Sequence, residues 1–185
     1  DAEGRLTAVR ARIVGDTGAY ASVGGKVLER AAGHICGPYR VPNVDVEAKA
    51  VYTNNPPCGA MRGFGAVQVC FAYEAQMDKL ARALGSDPVD LRLRNALSTG
   101  SVLPTGQVLR GSAPVREVIE RCRTLRMPEE SPRPAGRDPL LYPGGTGNVS
   151  RGEGLRRGVG FAVGYKNLAY SDGFDDSAEA RVRLA

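Results

Sequence analysis

Glycines surround one arginine and one phenylalanine at the end of the stretch PPCGAMRGFG, residues 56–65. Gly63 and Gly65 flank Phe64, and glycine permits positive φ and close approach of another molecule to the backbone. The chain that follows is predicted to be helical, and a helix N-terminus offers unpaired N–H groups and the positive end of a dipole. The stretch could therefore present amides to an anionic or oxo ligand while Arg62 and Phe64 project from a fixed backbone. An ordinary tight strand-to-helix turn is the alternative, since short glycine motifs are common.

Few other residues offer chemistry. The four cysteines contain no C-x-x-C pair, which argues against a zinc ribbon or an iron–sulfur site in this chain and is typical of a reducing cytosol. The acidic cluster Asp172, Asp175 and Asp176 lacks the spacing of a calcium-binding EF-hand loop, and we interpret it as part of a solvated loop. His34, the only histidine, is interpreted as structural. We therefore expect a cytoplasmic protein.

Composition excludes several classes of protein. The 185 residues are 42% hydrophobic and 24% charged, as in a globular protein of one domain or two small ones. There is no apolar run of about 18 residues, so no membrane-spanning helix is expected, and the opening residues are typical of the middle of a longer chain. The net charge of +5 raises the possibility of nucleic-acid binding, but the arginines are scattered and a solvated surface is favoured.

Hydrophobic periodicity predicts strands that alternate with helices. Apolar and charged side chains alternate in two segments as in half-buried strands, and spacings of three and four residues predict helices elsewhere. The predicted strands are residues 5–14 and 44–52, and the predicted helices are residues 26–37, residues 66–84, one after the N-cap Asp87 and one after Ser112. The side chains predicted to be buried on the long helix are Cys70, Tyr73, Met77, Leu80 and Leu84.

The composition changes near residue 126. Residues 126–155 are rich in Pro and Gly without a period, which predicts a linker or a long surface crossing. The runs GVGFAVGY, residues 158–165, and AEARVRL, residues 178–184, predict two more strands. We therefore predict an α/β (α+β) fold of mixed sheets with packed helices. Its units are a first domain at 1–125, the linker at 126–155 and the start of a second domain at 156–185.

The stretch NNPPCGAMRGFGAVQ, residues 54–68, resembles the Arg-Gly-Phe-Gly loop in the molybdenum-binding subunit of molybdenum hydroxylases, the xanthine dehydrogenase and aldehyde oxidase family. Related patterns occur in order along nearly the whole chain: GDTGAYAS, ERAAGHICGPYRVPNVDVEAKAVYTN, DPVDLRLRNAL and RRGVGFAVGY. The sequence departs from the family at Met61, commonly Phe, and at Val67, commonly Pro. The resemblance implies the fold of the family's molybdopterin-binding domains.

The resemblance also implies the residues that hold the cofactor. The backbone amide of Arg62 is expected to lie against the molybdenum ligands. Met61 and Gly63, its neighbours in the loop, are expected to contribute to cofactor binding.

Substrate-binding residues follow from the same resemblance. Phe64 is expected to contact the substrate ring. Arg30 stands 32 residues before Arg62, as in the family, and is expected to orient the substrate and take part in catalysis. A surface helix arginine is the alternative for Arg30. Tyr170 and Ser171 are expected to face the substrate from the far side, with a solvated loop as the alternative.

The family hydroxylates an aldehyde, a purine or an N-heterocycle with water, on a molybdenum–molybdopterin cofactor, and passes electrons to 2Fe-2S clusters and FAD on partner domains or subunits. This sequence lacks the family's Gly-Gly-Phe-Gly segment, its late Gln-Gly loop and its catalytic glutamate. We therefore expect it to form one wall of an active site and, by itself, to bind no cofactor, to be inactive and to self-associate through a strand edge or an apolar face. A non-catalytic interaction module that retains the fold is the alternative. No nucleic-acid or membrane partner is expected.

Overall fold

Two strands and four helices form the part of the chain that the structure describes. The structure is a computed structural model, and it describes residues 1–125, 159–167 and 179–183. In chain order the elements are β1 (Ala8–Gly18), α1 (Gly24–Gly33), β2 (Asn43–Tyr52), α2 (Ala66–Leu84), α3 (Pro88–Asn95) and α4 (Val115–Arg123). The predicted α/β fold class is confirmed, and the long helix has the predicted bounds.

The two strands pair in parallel, and α1 connects them. Their register runs from Ala8 opposite Asn43 to Asp16 opposite Val51, with an irregularity before Gly18. Parallel strands need such a crossover connection, which explains why a helix separates two strands of similar pattern. The apolar side chains of β1 pack against the core while its arginines face outward, where Arg10 pairs with Asp45 at 2.9 Å. The sheet in the described residues is thus a parallel pair.

Helix α1 ends earlier than the sequence predicts. It stops at Gly33 and not at Gly37, and residues 34–37 form turns in which the Gly37 N–H donates to the His34 carbonyl at 2.9 Å. Gly37 has φ +57°, and a Cβ there would lie 2.4 Å from the Tyr73 ring. The tight approach of this turn to α2 therefore replaces the last predicted turn of helix.

The buried face of α2 differs partly from the predicted one. Tyr73 and Met77 are buried as expected, but Leu80 and Leu84 are 40% and 42% exposed. The buried stripe instead continues from Val69 through Tyr73 and Met77 to Ala81, residues spaced by four. This stripe faces the turn after α1 and the inner side of β1, whose positions decide which side of α2 is covered.

A buried ionic network joins α2 to α3. Arg92 is fully buried, and its guanidinium donates to the Glu74 carboxylate at 2.8 Å and to Asp78 at 2.8 Å. The Tyr39 hydroxyl donates to the other oxygen of Glu74. Burial acts to lower the pKa of Arg92, but the Glu74 and Asp78 carboxylates outweigh it and the pKa is raised. Periodicity gives no sign of this network, because Arg, Glu and Asp are normally on the surface unless they are paired.

The strands predicted near the end of the chain are not seen in the described residues. Residues 159–167 and 179–183 have no regular secondary structure. The backbone of Val163 bonds to side chains of α2: its N–H donates to Glu74 at 3.0 Å, and its carbonyl accepts from the Tyr73 hydroxyl at 3.2 Å. These side chains occupy backbone groups that a neighbouring strand would need. The predicted linker, Tyr170 and Ser171 lie outside the described residues, and the domain division stays a prediction.

Candidate functional site

Three consecutive residues with positive φ precede α2. Gly63, Phe64 and Gly65 have φ of +95°, +48° and +93°. The turn is closed by the Phe64 N–H, which donates to the Met61 carbonyl at 2.8 Å, and by the Ala66 N–H, which donates to the Gly63 carbonyl at 3.0 Å. A positive φ is costly for a residue with a Cβ and is found mainly where surrounding structure enforces it, often at functional sites. The backbone of this loop is therefore tightly specified.

Gly65 brings this loop against α1. A Cβ at Gly65 would lie 2.1 Å from the Val27 carbonyl oxygen and 3.0 Å from the Ala31 nitrogen. Only glycine allows the two backbones to approach this closely. Because Ala31 adjoins Arg30 and Gly65 adjoins Phe64, the contact places two of the four predicted substrate-binding residues, Arg30 and Phe64, on adjoining segments.

The N-terminal end of α2 suits an anionic ligand. Its N-cap is Gly65, no side chain of the described residues caps it, and its first turn contains no acidic residue. The first N–H groups of a helix lack intrahelical partners and carry the positive end of the helix dipole. The Arg62 side chain is exposed at the same turn. A negatively charged group would therefore be stabilised here.

Asp16 fastens the segment that leads into the loop. Its carboxylate accepts from Thr53 Oγ1 at 2.6 Å, from Asn55 Nδ2 at 2.5 Å and from the Gly18 N–H at 2.7 Å. These bonds, with that to Thr53 the largest cause, lower the pKa of Asp16. Beside them the Cys58 N–H donates to the Thr17 carbonyl at 3.1 Å. The end of β1 thus holds residues 53–58, which lead to the Arg62 turn.

We expect Asp16→Asn to destabilise the chain in a pH-dependent way. The folded-state pKa of Asp16 lies below its ordinary value of 3.8. The carboxylate therefore stabilises the fold above that value, and this contribution is lost as the pH falls through the folded-state pKa. Urea denaturation should show a stability difference between wild type and variant that is constant above about pH 5 and shrinks toward about pH 3. Thr53→Val should weaken the same pH dependence, whereas parallel profiles for wild type and Asp16→Asn would contradict the assignment.

A cavity of about 140 Å³ lies between α1, the turn at 103–107 and the segment at 165–167. Arg30 and His34 form part of its wall. The remaining lining residues come from α1, from the turn at 103–107 and from the segment after residue 164, and they are Glu29, Gly33, Leu103, Thr105, Gln107, Tyr165 and Asn167. Arg30 is half-buried and lines this cavity, and its role in substrate binding stays a prediction.

His34 connects α1 to the segment at 165–167. Its Nε2 accepts from the Asn167 N–H at 3.2 Å, and its Nδ1 lies 2.7 Å from the Arg30 carbonyl oxygen. A backbone N–H can only donate, so the ring is neutral and carries its proton on Nδ1. Burial lowers the pKa of His34, and the positive charges of Lys166 and Arg30 lower it further. The Tyr165 ring lies 5.0 Å away, between centroids. The structural role expected from the sequence is confirmed.

Comparison with known proteins shows the family. A family model described as the molybdopterin cofactor-binding domain matches residues 1–96, just over half of the 185 residues. The chain belongs to this family. The resemblance to molybdenum hydroxylases that the Arg62 loop suggested is thereby confirmed.

Relatives of this molybdopterin cofactor-binding domain are parts of larger proteins. The chain is 54% identical over 121 residues to the nicotinate dehydrogenase large molybdopterin subunit of Eubacterium barkeri, a match that covers 65% of the chain and 28% of the relative. It is 36% identical over 189 residues to a probable xanthine dehydrogenase subunit of Bacillus subtilis (strain 168), covering 100% of the chain and 23% of that protein. The chain therefore spans about a quarter of the length of these relatives.

A solved structure has the same fold. The aldehyde oxidoreductase from Desulfovibrio gigas matches with a TM-score of 0.63 and 36% identity, over 66% of this chain and 13% of that one. About two thirds of this chain therefore has the fold of one segment of that aldehyde oxidoreductase.

The residues of the Arg62 loop fit a molybdopterin cofactor. The start of α2, which no side chain of the described residues caps, offers backbone donors to an anionic group. Met61 is 59% exposed, as a residue at the rim of a binding surface can be.

No group of three or more His, Cys, Asp or Glu side chains that could hold a metal occurs among the described residues. Likewise, none of the helices described is long and apolar enough to cross a bilayer.

Sequence reasoning misses two features of the site. Gly65 is recognisable as a conformational residue, but its contact with Val27 and Ala31 requires the packing of α1. Asp16 stands out only as part of a glycine-rich loop. A signal is present for Asp16, because an Asp side chain often accepts from the backbone N–H two residues on, here Gly18, and Asn55 follows the paired strand.

Proposed function

We propose that this chain forms one wall of the active site of a molybdenum hydroxylase. The observation that carries the proposal is the close backbone contact between Gly65 and α1. This contact brings the Phe64 loop against the helix that contains Arg30. Family membership supports the cofactor, and the joined segments support a site where cofactor and substrate meet. Catalysis in the intact protein requires walls from beyond these residues.

The Arg62 loop is the cofactor side of this wall. The backbone N–H of Arg62, with Met61 and Gly63, would hold a molybdopterin cofactor near the uncapped start of α2. When bound, this group supplies two-electron oxidation with oxygen transfer from water. The chain contributes backbone amides that the positive-φ turn at residues 63–65 holds in place.

Phe64 and Arg30 are the substrate side. A planar substrate would stack on the half-buried Phe64 ring, which the strained backbone holds in one orientation. The guanidinium of Arg30 would orient the substrate and stabilise negative charge that develops during the reaction. Tyr170 and Ser171 remain proposed for the opposite side. An N-heterocycle is favoured over an aldehyde or a purine, because the relative with 54% identity is part of a nicotinate dehydrogenase.

The electron-transfer partners and the location of the protein are also proposals. We propose that electrons leave toward 2Fe-2S and FAD groups on partner domains or subunits, because the cysteines of this sequence lack the spacing of an iron–sulfur site. All four cysteines are free thiols, and the pKa of the buried Cys36 is raised to about 11, so it is an inert apolar residue. These thiols support a cytoplasmic location. The lack of activity and the self-association expected of the chain by itself remain predictions.

Phe64→Ala tests the proposed roles in the intact protein. It should keep the molybdenum content and raise KM for a heteroaromatic substrate about tenfold, because aromatic stacking contributes roughly 1–1.5 kcal/mol. Metal analysis and steady-state kinetics measure the two effects. Arg62→Lys is the matched control, since the proposal assigns the backbone and not the side chain to the cofactor, and it should keep most of the metal. The proposal would be overturned if the intact wild-type protein lacked molybdenum and hydroxylated no aldehyde, purine or N-heterocycle. The alternative of a non-catalytic interaction module would then be favoured.

A further inference from the structure

Side chains of the helical part hold the backbone of residues 161–167 at two places. At the first, the Val163 N–H donates to Glu74 at 3.0 Å, and the Val163 carbonyl accepts from the Tyr73 hydroxyl at 3.2 Å. At the second, the Asn167 N–H donates to Nε2 of His34, the C-cap residue of α1, at 3.2 Å. A glycine, residue 164, follows the first place and lets the chain beyond it turn at low cost. The Asn167 end can therefore move while Val163 stays bound.

The attachment at His34 holds one wall of the cavity beside Arg30. Tyr165 and Asn167 line this cavity together with Arg30 and His34. The Tyr165 ring also lies against the His34 ring, with 5.0 Å between their centroids. Release of Asn167 from His34 would therefore open the cavity on this side.

The bond between His34 and Asn167 requires a neutral imidazole. The backbone N–H of Asn167 can only donate, so Nε2 carries no proton, while Nδ1 lies 2.7 Å from the Arg30 carbonyl oxygen and donates to it. A proton on Nε2 would place two donors opposite each other and break the bond. Because Asn167 is exposed, water can solvate its freed N–H, and opening leaves no buried donor unpaired.

The surroundings of His34 oppose protonation while the segment is attached. His34 is only 4% exposed, and its burial is the largest cause that lowers its pKa below the ordinary value of 6.5. The positive charges of Lys166, on the attached segment, and of Arg30, on α1, lower this pKa further. The ring therefore accepts a proton more readily after the segment has moved away.

The other titratable groups near the ring do not reverse this preference. Glu29 lines the same cavity, but its carboxylate pairs with Lys26 at 2.7 Å. Burial raises the pKa of Tyr165 to about 12 and that of Cys36 to about 11, so both are neutral. The turn at 103–107 contributes no ionisable side chain to the cavity. The charges that act on the ring are thus positive.

We propose that His34 is a proton-controlled latch, which holds residues 165–167 against α1 when neutral and releases them when protonated. The latch is a property of the fold and does not depend on the reaction proposed above. An ordinary histidine takes up its proton below about pH 6.5, so the latch is closed at neutral pH and opens as the pH falls. The open population should rise about tenfold between about pH 7.5 and about pH 5.5, because protonation stabilises the open form.

Hydrogen exchange of the Asn167 amide in the intact protein tests the latch. After correction for the intrinsic exchange rate, its protection in the wild type should fall about tenfold between about pH 7.5 and about pH 5.5. The Val163 amide is the internal control, and its protection should stay constant because it donates to Glu74 and not to a histidine.

Two variants separate the proton from the hydrogen bond. In His34→Gln the side-chain oxygen can still accept the Asn167 N–H but takes up no proton in this range, so the protection of Asn167 should not depend on pH. His34→Phe has no acceptor, and the protection of Asn167 should be weak at both pH values.

The proposal would be overturned if the protection of Asn167 in the wild type did not change with pH, or changed equally in His34→Gln. If Val163 lost protection together with Asn167, His34 would only support the fold, and the latch would also be wrong. Because hydrogen exchange needs no turnover, an intact wild type without hydroxylase activity would count against the proposed function alone.

Discussion

Gly65→Ala is expected to separate the Phe64 loop from α1. The added methyl would lie 2.1 Å from the Val27 carbonyl oxygen, a backbone atom that cannot rotate away. The residue also needs φ +93°, which costs a residue with a Cβ about 1–2 kcal/mol. We expect the free energy of unfolding, measured by urea denaturation of the chain, to fall by more than about 3 kcal/mol, the range of severe core changes. The intact protein should lose its molybdenum.

Gly85→Ala is the matched control for this change. Gly85 caps the other end of α2 with φ +62°, but a Cβ there would meet nothing within 4 Å. This variant should cost only the backbone penalty of about 1–2 kcal/mol and leave the molybdenum content unchanged. If the free energy of unfolding falls equally in the two variants, the contact between Gly65 and α1 does not stabilise the fold. The proposal that this contact brings the Phe64 loop against the helix of Arg30 would then be wrong.

Arg92→Met is expected to be the other strongly destabilising change. It removes a fully buried cation and leaves Glu74, which is 6% exposed, as an uncompensated buried carboxylate. Breaking a buried ion pair from one side typically costs about 3–5 kcal/mol. Glu74 also accepts from Tyr39 and from the Val163 N–H, so the variant should loosen residues 159–167 from α2. Urea denaturation measures the first effect, and hydrogen exchange of the Val163 amide measures the second.

Arg123→Met provides the comparison for an exposed pair. Arg123 bonds Asp90 at 2.6 Å, but both side chains are 49% exposed, and pairs of this kind contribute less than about 1 kcal/mol. We expect the free energy of unfolding to fall slightly in Arg123→Met and strongly in Arg92→Met. A cost at Arg92 of below about 1 kcal/mol would show that the buried network is dispensable.

Local signals in the sequence are sufficient for most of the elements. The bounds of α2 are predictable because glycines stand at both of its ends and its interior keeps a helical period. The start of α3 is predictable because Asp87 and Pro88 have the chemistry of an N-cap and a first helical residue, and the Asp87 carboxylate indeed accepts from Val89 and Asp90. Each of these signals acts within about one helical turn, which is why sequence reasoning detects it.

Prediction from the sequence is weaker where the burial or the pairing of one element depends on how another element packs against it. Leu80 and Leu84 are as apolar as buried residues, but they are 40% and 42% exposed, because the packed elements cover a different side of α2. The run GVGFAVGY alternates like a strand, yet the described backbone around Val163 bonds to side chains of α2. Strand propensity depends strongly on the neighbours of a segment, and these are known only from the fold.

The sequence by itself determined the α/β pattern, the bounds of α2, the start of α3 and, through the Arg-Gly-Phe-Gly resemblance, the family, because short-range chemistry and motif order both depend on neighbouring residues. Only the tertiary structure decided that Gly65 packs the Phe64 loop on α1, that Arg92 is buried with Glu74, and that Arg30 and Tyr165 line one cavity. These contacts join residues separated by 18 to more than 100 positions, and such approaches depend on how whole elements pack.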